Sequence, residues 1–75
     1  MKELQLDAKK AFAINLKRLR AEKSMTQVEL SKKSGITQAS LSSLENGLYW
    51  PDYNTVAALA KALKCDQIDL FKDLK

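Results

Sequence analysis

The sequence predicts an all-α fold of five helices, and three observations support this class. Apolar residues recur at helical spacing along most of the 75 residues, and no segment shows the alternation of a half-buried strand. A Ser, Thr or Asp that can cap a helix precedes several of the apolar segments. No repeat, linker or low-complexity segment interrupts the pattern. Residues 1–75 are therefore predicted to form a single domain.

The first predicted helix is long. We expect Asp7 to be its N-cap and the helix to end near Lys23. Its inward face should carry Ala8, Phe12, Leu16 and Leu19, which recur at helical spacing. Ile14 falls outside that stripe and is expected to be exposed. The preceding Met1–Leu6 segment either folds back on the core or forms an arm, and the sequence does not choose between the two.

The second and third predicted helices, residues 26–34 and 38–45, are joined by a tight Ser34-Gly35-Ile36 turn. Gly35 lies where the chain reverses, and a residue without Cβ tolerates the positive φ that such a turn requires. Thr26 and Thr37 can cap the two helices with their hydroxyls. The apolar residues of this segment are Val28, Leu30, Ile36, Leu41 and Leu44. This layout is that of a helix-turn-helix.

The outward face of the third helix has an unusual composition. If Leu41 and Leu44 point to the core, then Ala39, Ser42 and Ser43 lie on the opposite face. Gln38 lies at the exposed N-terminal end, and none of these residues is charged. Such a face can enter a major groove without leaving a charge unpaired. The alternative interpretation, that Ser and Gln are ordinary polar surface residues, is less favoured in this turn spacing.

Two further helices follow an aromatic loop, Leu48-Tyr49-Trp50-Pro51. Asp52 is the expected cap of helix four. Asp66 is the expected cap of a short helix five. The residues of helix four predicted to pack inward are Tyr53, Val56, Leu59, Ala60 and Leu63, and the apolar residues of helix five are Ile68, Leu70, Phe71 and Leu74.

Composition narrows the possible functions. The chain has no histidine and one cysteine, Cys65, which we assign to the core. No enzyme, metal or cofactor is therefore expected. No apolar run approaches the roughly 20 residues of a membrane span, so a cytoplasmic protein is predicted. The net charge is +4, and residues 1–33 hold nine Lys or Arg against four acidic residues. A positive half suits contact with phosphates, although lysines on a solvated helix often serve only solubility.

Several motifs, taken in their order along the chain, resemble one known family. They are Leu16-Lys17-Arg18-Leu19-Arg20, Met25-Thr26-Gln27, Glu29-Leu30, Ser34-Gly35-Ile36, Leu41, Leu44-Glu45-Asn46-Gly47, Pro51 and Leu59-Ala60-Lys61-Ala62-Leu63. Residues 12–71 resemble the lambda-repressor/Cro type (XRE-type) helix-turn-helix family. The resemblance implies a lambda-repressor-like domain that binds double-stranded DNA, with helix three in the major groove.

The resemblance also implies roles for individual residues. Gln38 matches a base-reading position, and a glutamine can bond adenine N6 and N7 bidentately. Arg20 and Glu45 match a partly buried ion pair that braces helix one against the end of helix three. The other base-facing residues would be Ala39, Ser42 and Ser43, with Thr37 and Ser40 at the groove edge. The residues expected to contact phosphate are Thr26, Gln27, Asn46, Lys17 and Lys32.

Three departures from the family pattern raise further questions. Ser31 and Ser34 replace residues that are usually apolar in helix two. Residues 48–50 replace the lysines or arginines that relatives often carry against phosphate. Tyr49 and Trp50 then pack on the domain itself, contact the DNA backbone, or bind a protein partner. The third departure, Gln67-Ile68, leaves Ile68 exposed.

A dimer interface is the favoured role for Ile68 together with Phe71, ahead of a place at the edge of the core. Lambda-type domains pair through their C-terminal helices, and an isologous contact suits a twofold operator. The sequence thus predicts a transcriptional regulator, with repression favoured, that binds an inverted-repeat operator as a homodimer. The alternative is a protein-interaction module of the same fold, of antitoxin or co-activator type, with weak non-specific DNA binding.

Overall fold

The chain folds into four α-helices and a short 3₁₀ helix. The computed structural model describes the backbone of residues 2–72 and the side chains of residues 9–72. The helices are α1 Lys2–Glu22, α2 Gln27–Ser34, α3 Gln38–Glu45 and α4 Tyr53–Leu63, followed by the 3₁₀ helix Gln67–Phe71. No strand occurs within residues 2–72, so the all-α prediction is confirmed.

The prediction of a fifth α-helix is wrong, because the last helical segment has the tighter 3₁₀ geometry. Asp66 precedes it as predicted, and the Asp69 carboxylate accepts a hydrogen bond from the Asp66 N–H at 3.0 Å. A helical segment of only five residues can form few of the i to i+4 hydrogen bonds that define an α-helix. In addition, the side-chain amide of Asn15 donates to the carbonyls of Leu70 and Lys72 at the end of the segment.

The first helix starts earlier than the sequence suggested. It begins at Lys2, so Asp7 lies within the helix and the prediction of an N-cap there is wrong. The segment before Asp7 contains Lys, Glu, Leu and Gln, which are good helix formers, and neither Gly nor Pro. The backbone of Leu4 and Leu6 therefore belongs to α1. Their side chains, that of Ala8 and all of Leu74 lie outside the described residues.

Short polar side chains begin the next three helices as predicted. The Thr26 hydroxyl accepts from the Glu29 N–H at 3.0 Å, and the Glu29 carboxylate accepts from the Thr26 N–H at 2.8 Å. This capping box satisfies two backbone donors at the start of α2. Thr37 and Asp52 cap α3 and α4 by accepting from N–H groups three residues later. The local sequence therefore fixes where these helices start.

The core lies where α1 packs against α3 and the 3₁₀ helix, and where α2 packs against α3 and α4. Its members are Phe12, Leu16, Leu30, Leu41, Leu44, Val56, Leu59, Ala60, Leu63 and Leu70. Cys65 is half-buried against this core. Ile14 is 64% exposed and Ile68 is 68% exposed, as predicted.

Two residues predicted to be apolar contacts of the bundle are instead exposed. Val28 is 45% exposed, because it lies two residues before the buried Leu30 and so points to the other side of α2. Tyr53 is 72% exposed, because it is the first residue of α4 and lies a turn before Val56, where burial begins. The predicted inward positions of both residues are therefore wrong.

Candidate nucleic-acid interface

The turn between α2 and α3 sets the direction of α3. Gly35 ends α2 with a φ of 79°, and its N–H donates to the Ser31 carbonyl at 2.9 Å. A φ of this sign is the left-handed conformation that glycine adopts without a steric penalty. The Ile36 N–H donates to the Ser34 hydroxyl at 3.2 Å. Ser34, a departure from the family pattern, thus stabilises the turn itself.

The outward face of α3 carries no charge. Gln38 and Ala39 are exposed, and Ser42 and Ser43 are half-buried. The one charged residue of α3 is Glu45, which is 5% exposed and faces inward. An amide, a methyl and two hydroxyls are therefore presented together on one short helix. These groups can bond or contact base edges in a major groove.

The two residues expected at the groove edge bond to each other. The Thr37 hydroxyl donates to the Ser40 hydroxyl at 3.0 Å and accepts from the Ser40 N–H at 3.1 Å. The Tyr49 hydroxyl approaches the Ser40 carbonyl oxygen at 3.5 Å, which is long for a hydrogen bond. The aromatic loop is thus folded back beside α3 and adjoins the candidate interface.

A buried carboxylate joins three helices behind this face. Glu45, at the end of α3, accepts two hydrogen bonds from Arg20 of α1, at 2.6 Å from Nε and 2.9 Å from Nη2. Arg20 Nη1 also donates to the Met25 carbonyl at 2.8 Å. Gln27, the first residue of α2, donates from Nε2 to Glu45 Oε1 at 3.1 Å. The ion pair therefore holds the orientation of α3 relative to α1 and α2.

The ionisation of this pair follows from its surroundings. Burial raises the pKa of the Glu45 carboxyl, but hydrogen bonds from Arg20 and Gln27 outweigh it and leave the pKa below its ordinary value. The hydrogen bond to Glu45 raises the pKa of Arg20, against the opposing effect of burial. Both groups are therefore charged at neutral pH. As a buried pair, they are weak evidence for stability and stronger evidence for fixed geometry.

The residues predicted to contact phosphate do not all lie together. Thr26 and Gln27 adjoin at the start of α2, and Lys17 lies close enough to Glu45 to lower its pKa. Asn46 is exposed directly after α3. Lys32 is exposed in the last turn of α2, five residues beyond Gln27, and is separate from this group.

Sequence reasoning missed two features of the site. The Gln27 side chain is bonded to Glu45 and so is not a freely rotating surface amide. Tyr53, three residues after Trp50, is a fourth exposed large side chain in the segment that carries Leu48, Tyr49 and Trp50. The position of Tyr53 at the start of α4 could have indicated its exposure. The Gln27 contact spans 18 residues and carried no local signal.

The proposed dimer residues differ in their surroundings. Ile68 is exposed, whereas Phe71 is half-buried and its ring lies 5.2 Å from that of Phe12 between centroids. Such tilted aromatic pairs add to the stability of a core. Phe71 is thus also a structural residue of the domain.

The described residues also bear on metal binding, thiol reactivity and membrane insertion. No group of three or more His, Cys, Asp or Glu in that part of the chain is arranged to hold a metal ion. Burial, together with the nearby Asp69 carboxylate, raises the pKa of the Cys65 thiol, which keeps it protonated at neutral pH. None of the helices described here is long and apolar enough to span a bilayer.

Comparison with known proteins places this geometry in a family. The family model described as Helix-turn-helix, HTH_3, matches residues 16–66 and so covers α2, α3, α4 and the end of α1. The chain belongs to this helix-turn-helix family. The resemblance to XRE-type proteins is thus confirmed, and the domain has the helix-turn-helix DNA-binding fold.

Curated relatives of this helix-turn-helix chain include regulators from bacteria and a phage protein. An uncharacterized HTH-type transcriptional regulator of Sinorhizobium fredii is 42% identical over 65 residues, covering 87% of this chain and 84% of the relative. The ImmF control region 10 kDa protein of Bacillus phage phi105 is 38% identical over 61 residues, covering 81% and 67%. These shares mean that the relatives match over most of their length.

Solved structures show the same arrangement of helices. The restriction-modification controller protein C.AhdI from Aeromonas hydrophila has a TM-score of 0.80 at 27% identity, covering 83% of this chain and 94% of that one. An HTH_3 family transcriptional regulator from Vibrio cholerae has a TM-score of 0.82 at 22% identity, covering 96% of this chain and 40% of that one. The second likeness concerns the fold alone.

Proposed function

We propose that this protein is a small transcriptional regulator, of repressor type, that binds an inverted-repeat operator as a dimer. The observation that carries the proposal is the uncharged outward face of α3, which Arg20, Glu45 and Gly35 hold in a fixed direction. The relative named as an HTH-type transcriptional regulator and the controller protein C.AhdI support the regulatory role.

In the proposed complex, α3 enters the major groove. Gln38, Ala39, Ser42 and Ser43 face the base edges, while Thr37 and Ser40 lie at the groove edge. Residues that hold the phosphates would be Thr26, Gln27, Asn46, Lys17 and Lys32. Two such domains bind half-sites about 10 base pairs apart, centre to centre.

The experiment that tests this proposal is selection from a randomised double-stranded DNA pool at physiological salt. We expect an inverted repeat to be enriched and to bind two chains roughly 10³-fold or more tightly than a scrambled duplex. Ala39→Glu is the test variant, and we expect it to weaken operator binding. The exposed position tolerates the side chain, while the new charge opposes entry into the groove. If no motif is enriched and binding disappears as salt rises, the proposal is wrong.

Dimer formation is a separate part of the proposal, with Ile68 and Phe71 as its interface. Phe71→Ala is expected to weaken both association and DNA affinity, but it also removes the ring that packs on Phe12. Ile68→Lys is the cleaner variant, because Ile68 is 68% exposed and contributes little to the core. Sedimentation at high protein concentration measures the association. A wild-type chain that stays monomeric would contradict this interface.

A second candidate function is supported by the aromatic surface, which we define as Leu48, Tyr49, Trp50 and Tyr53. All four side chains are exposed, Trp50 by 49%. Residues 46–60 contain no Lys or Arg, so the segment that carries these side chains offers phosphates no positive charge of its own. These four side chains lie within six residues of the sequence, and large exposed apolar patches often mark protein-binding sites. This candidate is favoured if Trp50→Ser abolishes a specific protein contact and leaves DNA affinity unchanged.

A further inference from the structure

We propose that Glu45 is a positioning residue for DNA binding: its buried carboxylate holds the Gln27 side-chain amide so that the second Nε2 hydrogen faces a DNA phosphate. This inference rests on the proposed function. It assigns the buried ion pair a part in binding, in addition to bracing the helices.

The first step is the orientation of the Gln27 amide. Glu45 Oε1 accepts from Arg20 Nη2 at 2.9 Å and from Gln27 Nε2 at 3.1 Å. An ionised carboxylate only accepts hydrogen bonds, so the nitrogen end of the amide must face it. In the reversed orientation, the Gln27 amide oxygen would lie about as far from Glu45 Oε1 as Nε2 does, with no hydrogen between the two acceptors. The carboxylate thus selects one of the two amide orientations.

The second step is the position of Gln27. It is the first residue of α2, and the capping box between Thr26 and Glu29 fixes the backbone on either side of it. The Glu45 bond then fixes the far end of the side chain. A side chain held at both ends loses little conformational entropy when it meets a ligand.

The third step is the donor that remains. Nε2 of a glutamine carries two hydrogens, and the Glu45 bond uses one of them. The other remains available at the N-terminus of α2, where the helix dipole and the N–H groups of Gln27 and Val28, which the capping box does not use, favour an anion. Lys17 lies close enough to Glu45 to lower its pKa, which adds a positive charge on the α1 side. The Gln27 amide and the start of α2 therefore supply the donors, and Lys17 of α1 adds a favourable charge.

The bond between Gln27 and Glu45 predicts non-additive effects on DNA affinity. Gln27→Ala should weaken binding about 2- to 10-fold on every sequence, the equivalent of one net hydrogen bond. Glu45→Gln should weaken DNA binding similarly. A neutral amide at position 45 both donates and accepts, so it can pair with either orientation of the Gln27 amide. In the Glu45→Gln background, Gln27→Ala should then have little further effect. A role of Glu45 in stability alone would leave the two effects multiplicative.

The test combines this double-mutant cycle with NMR of the free wild-type protein. DNA affinities are measured at a temperature at which circular dichroism shows each variant folded. In the wild type, the two Gln27 side-chain amide protons should resonate well apart, with one shifted by the carboxylate. The amide of Gln67, which is exposed on the 3₁₀ helix, is the internal control and should show the values of a free side chain.

The outcomes are distinct. Gln27 amide protons that match those of Gln67, or multiplicative effects in the cycle, would overturn the inference. The NMR measurement needs no variant, so it decides the first point even if Glu45→Gln fails to fold. Separated Gln27 resonances in a protein that binds no DNA would instead overturn the proposed function, and with it the phosphate contact, while the orienting bond would remain.

Discussion

The side-chain nitrogen Nδ2 of Asn15 lies 2.8 Å from the carbonyl oxygen of Lys72, 57 residues further along the chain. The same nitrogen donates to the Leu70 carbonyl at 3.2 Å, and Asn15 Oδ1 accepts from Arg18 Nη2 at 2.7 Å. Asn15 is 4% exposed; its bond to Leu70 is buried, and its bonds to Lys72 and Arg18 are partly buried. A single buried amide thus attaches the 3₁₀ helix to α1.

We expect Asn15→Ala to destabilise the domain by about 1–3 kcal/mol, because it leaves two carbonyl groups without a donor. Urea unfolding followed by circular dichroism measures the change. Asn54→Ala is the matched control, since Asn54 is exposed on α4 and should cost far less. A difference between the two variants of less than about 0.5 kcal/mol would show that water replaces the Asn15 bonds without penalty.

Replacing the turn glycine should reduce stability modestly without affecting DNA affinity. Gly35→Ala places a Cβ on a residue with a φ of 79°, where no heavy atom beyond the two adjacent residues lies within 4 Å of it. The cost is therefore that of the backbone conformation alone, about 1 kcal/mol in the free energy of unfolding. DNA affinity of the folded variant should be unchanged, because α3 keeps its direction. An affinity loss beyond the stability effect would contradict this separation.

Introducing a glycine at the C-terminal end of α4 is expected to stabilise the domain. Lys64 ends this helix with a φ of 56°, a left-handed conformation that a residue with a Cβ adopts at a cost. Lys64→Gly should raise the free energy of unfolding by up to about 1 kcal/mol, since glycine removes that strain but is more flexible when unfolded. Thermal unfolding at one fixed pH detects the change. A clear loss of stability would indicate that the Lys64 side chain contributes more than its backbone conformation costs.

Acid should weaken the Arg20 and Glu45 network. The folded pKa of Glu45 is below its ordinary value of 4.5, so the stabilising effect is complete above that value and is lost as pH falls through the lower folded pKa. We expect the stability difference between wild type and Glu45→Gln to be constant from pH 7 to about 5 and to shrink below about 4.5. The lowered pKa values of Asp52 and Asp69 are common to both proteins and cancel. A constant difference down to pH 3 would exclude a titrating Glu45.

A base contact and a phosphate contact should differ in their sequence dependence. Gln38→Ala is expected to cost about 1–3 kcal/mol on the selected operator and to relax preference at one base pair. Gln67→Ala, on the exposed side of the 3₁₀ helix, is its control and should change neither quantity. Binding to all single-base operator variants measures both. Equal losses on every variant would remove Gln38 from the base-reading set.

Lys17→Ala should weaken binding to all sequences alike and reduce the slope of log affinity against log salt by about 1. The lysine is exposed on α1, close to Glu45 at the end of α3. Lys61→Ala, which removes the same charge from α4, is the control for net charge. If both variants change the slope equally, Lys17 makes no specific phosphate contact.

Local chemistry explains why much of this fold was predictable from the sequence. The starts of α2, α3 and α4 depend on Thr26, Thr37 and Asp52, each of which bonds an N–H three residues away. Gly35 marks the turn for a similarly local reason. The uncharged face of α3 follows from helical spacing alone.

Features that depend on distant residues were not predictable in this way. The 3₁₀ geometry near residue 70 involves Asn15, and the orientation of Gln27 involves Glu45. Neither partner has a sequence pattern that points to the other. The start of α1 has a local cause of another kind: the helix propensity of the residues before Asp7 outweighs the capping potential of Asp7.

Trp50 is the one tryptophan in the chain, and it lies half exposed in the loop beside α3, outside the core. Its indole emission is therefore a natural optical probe that separates two events. Unfolding changes the hydration of an already wet ring only modestly, whereas a ligand that covers the loop would shift the emission to shorter wavelength. The wild-type chain can thus report, without an added label, whether DNA or a protein covers the aromatic surface.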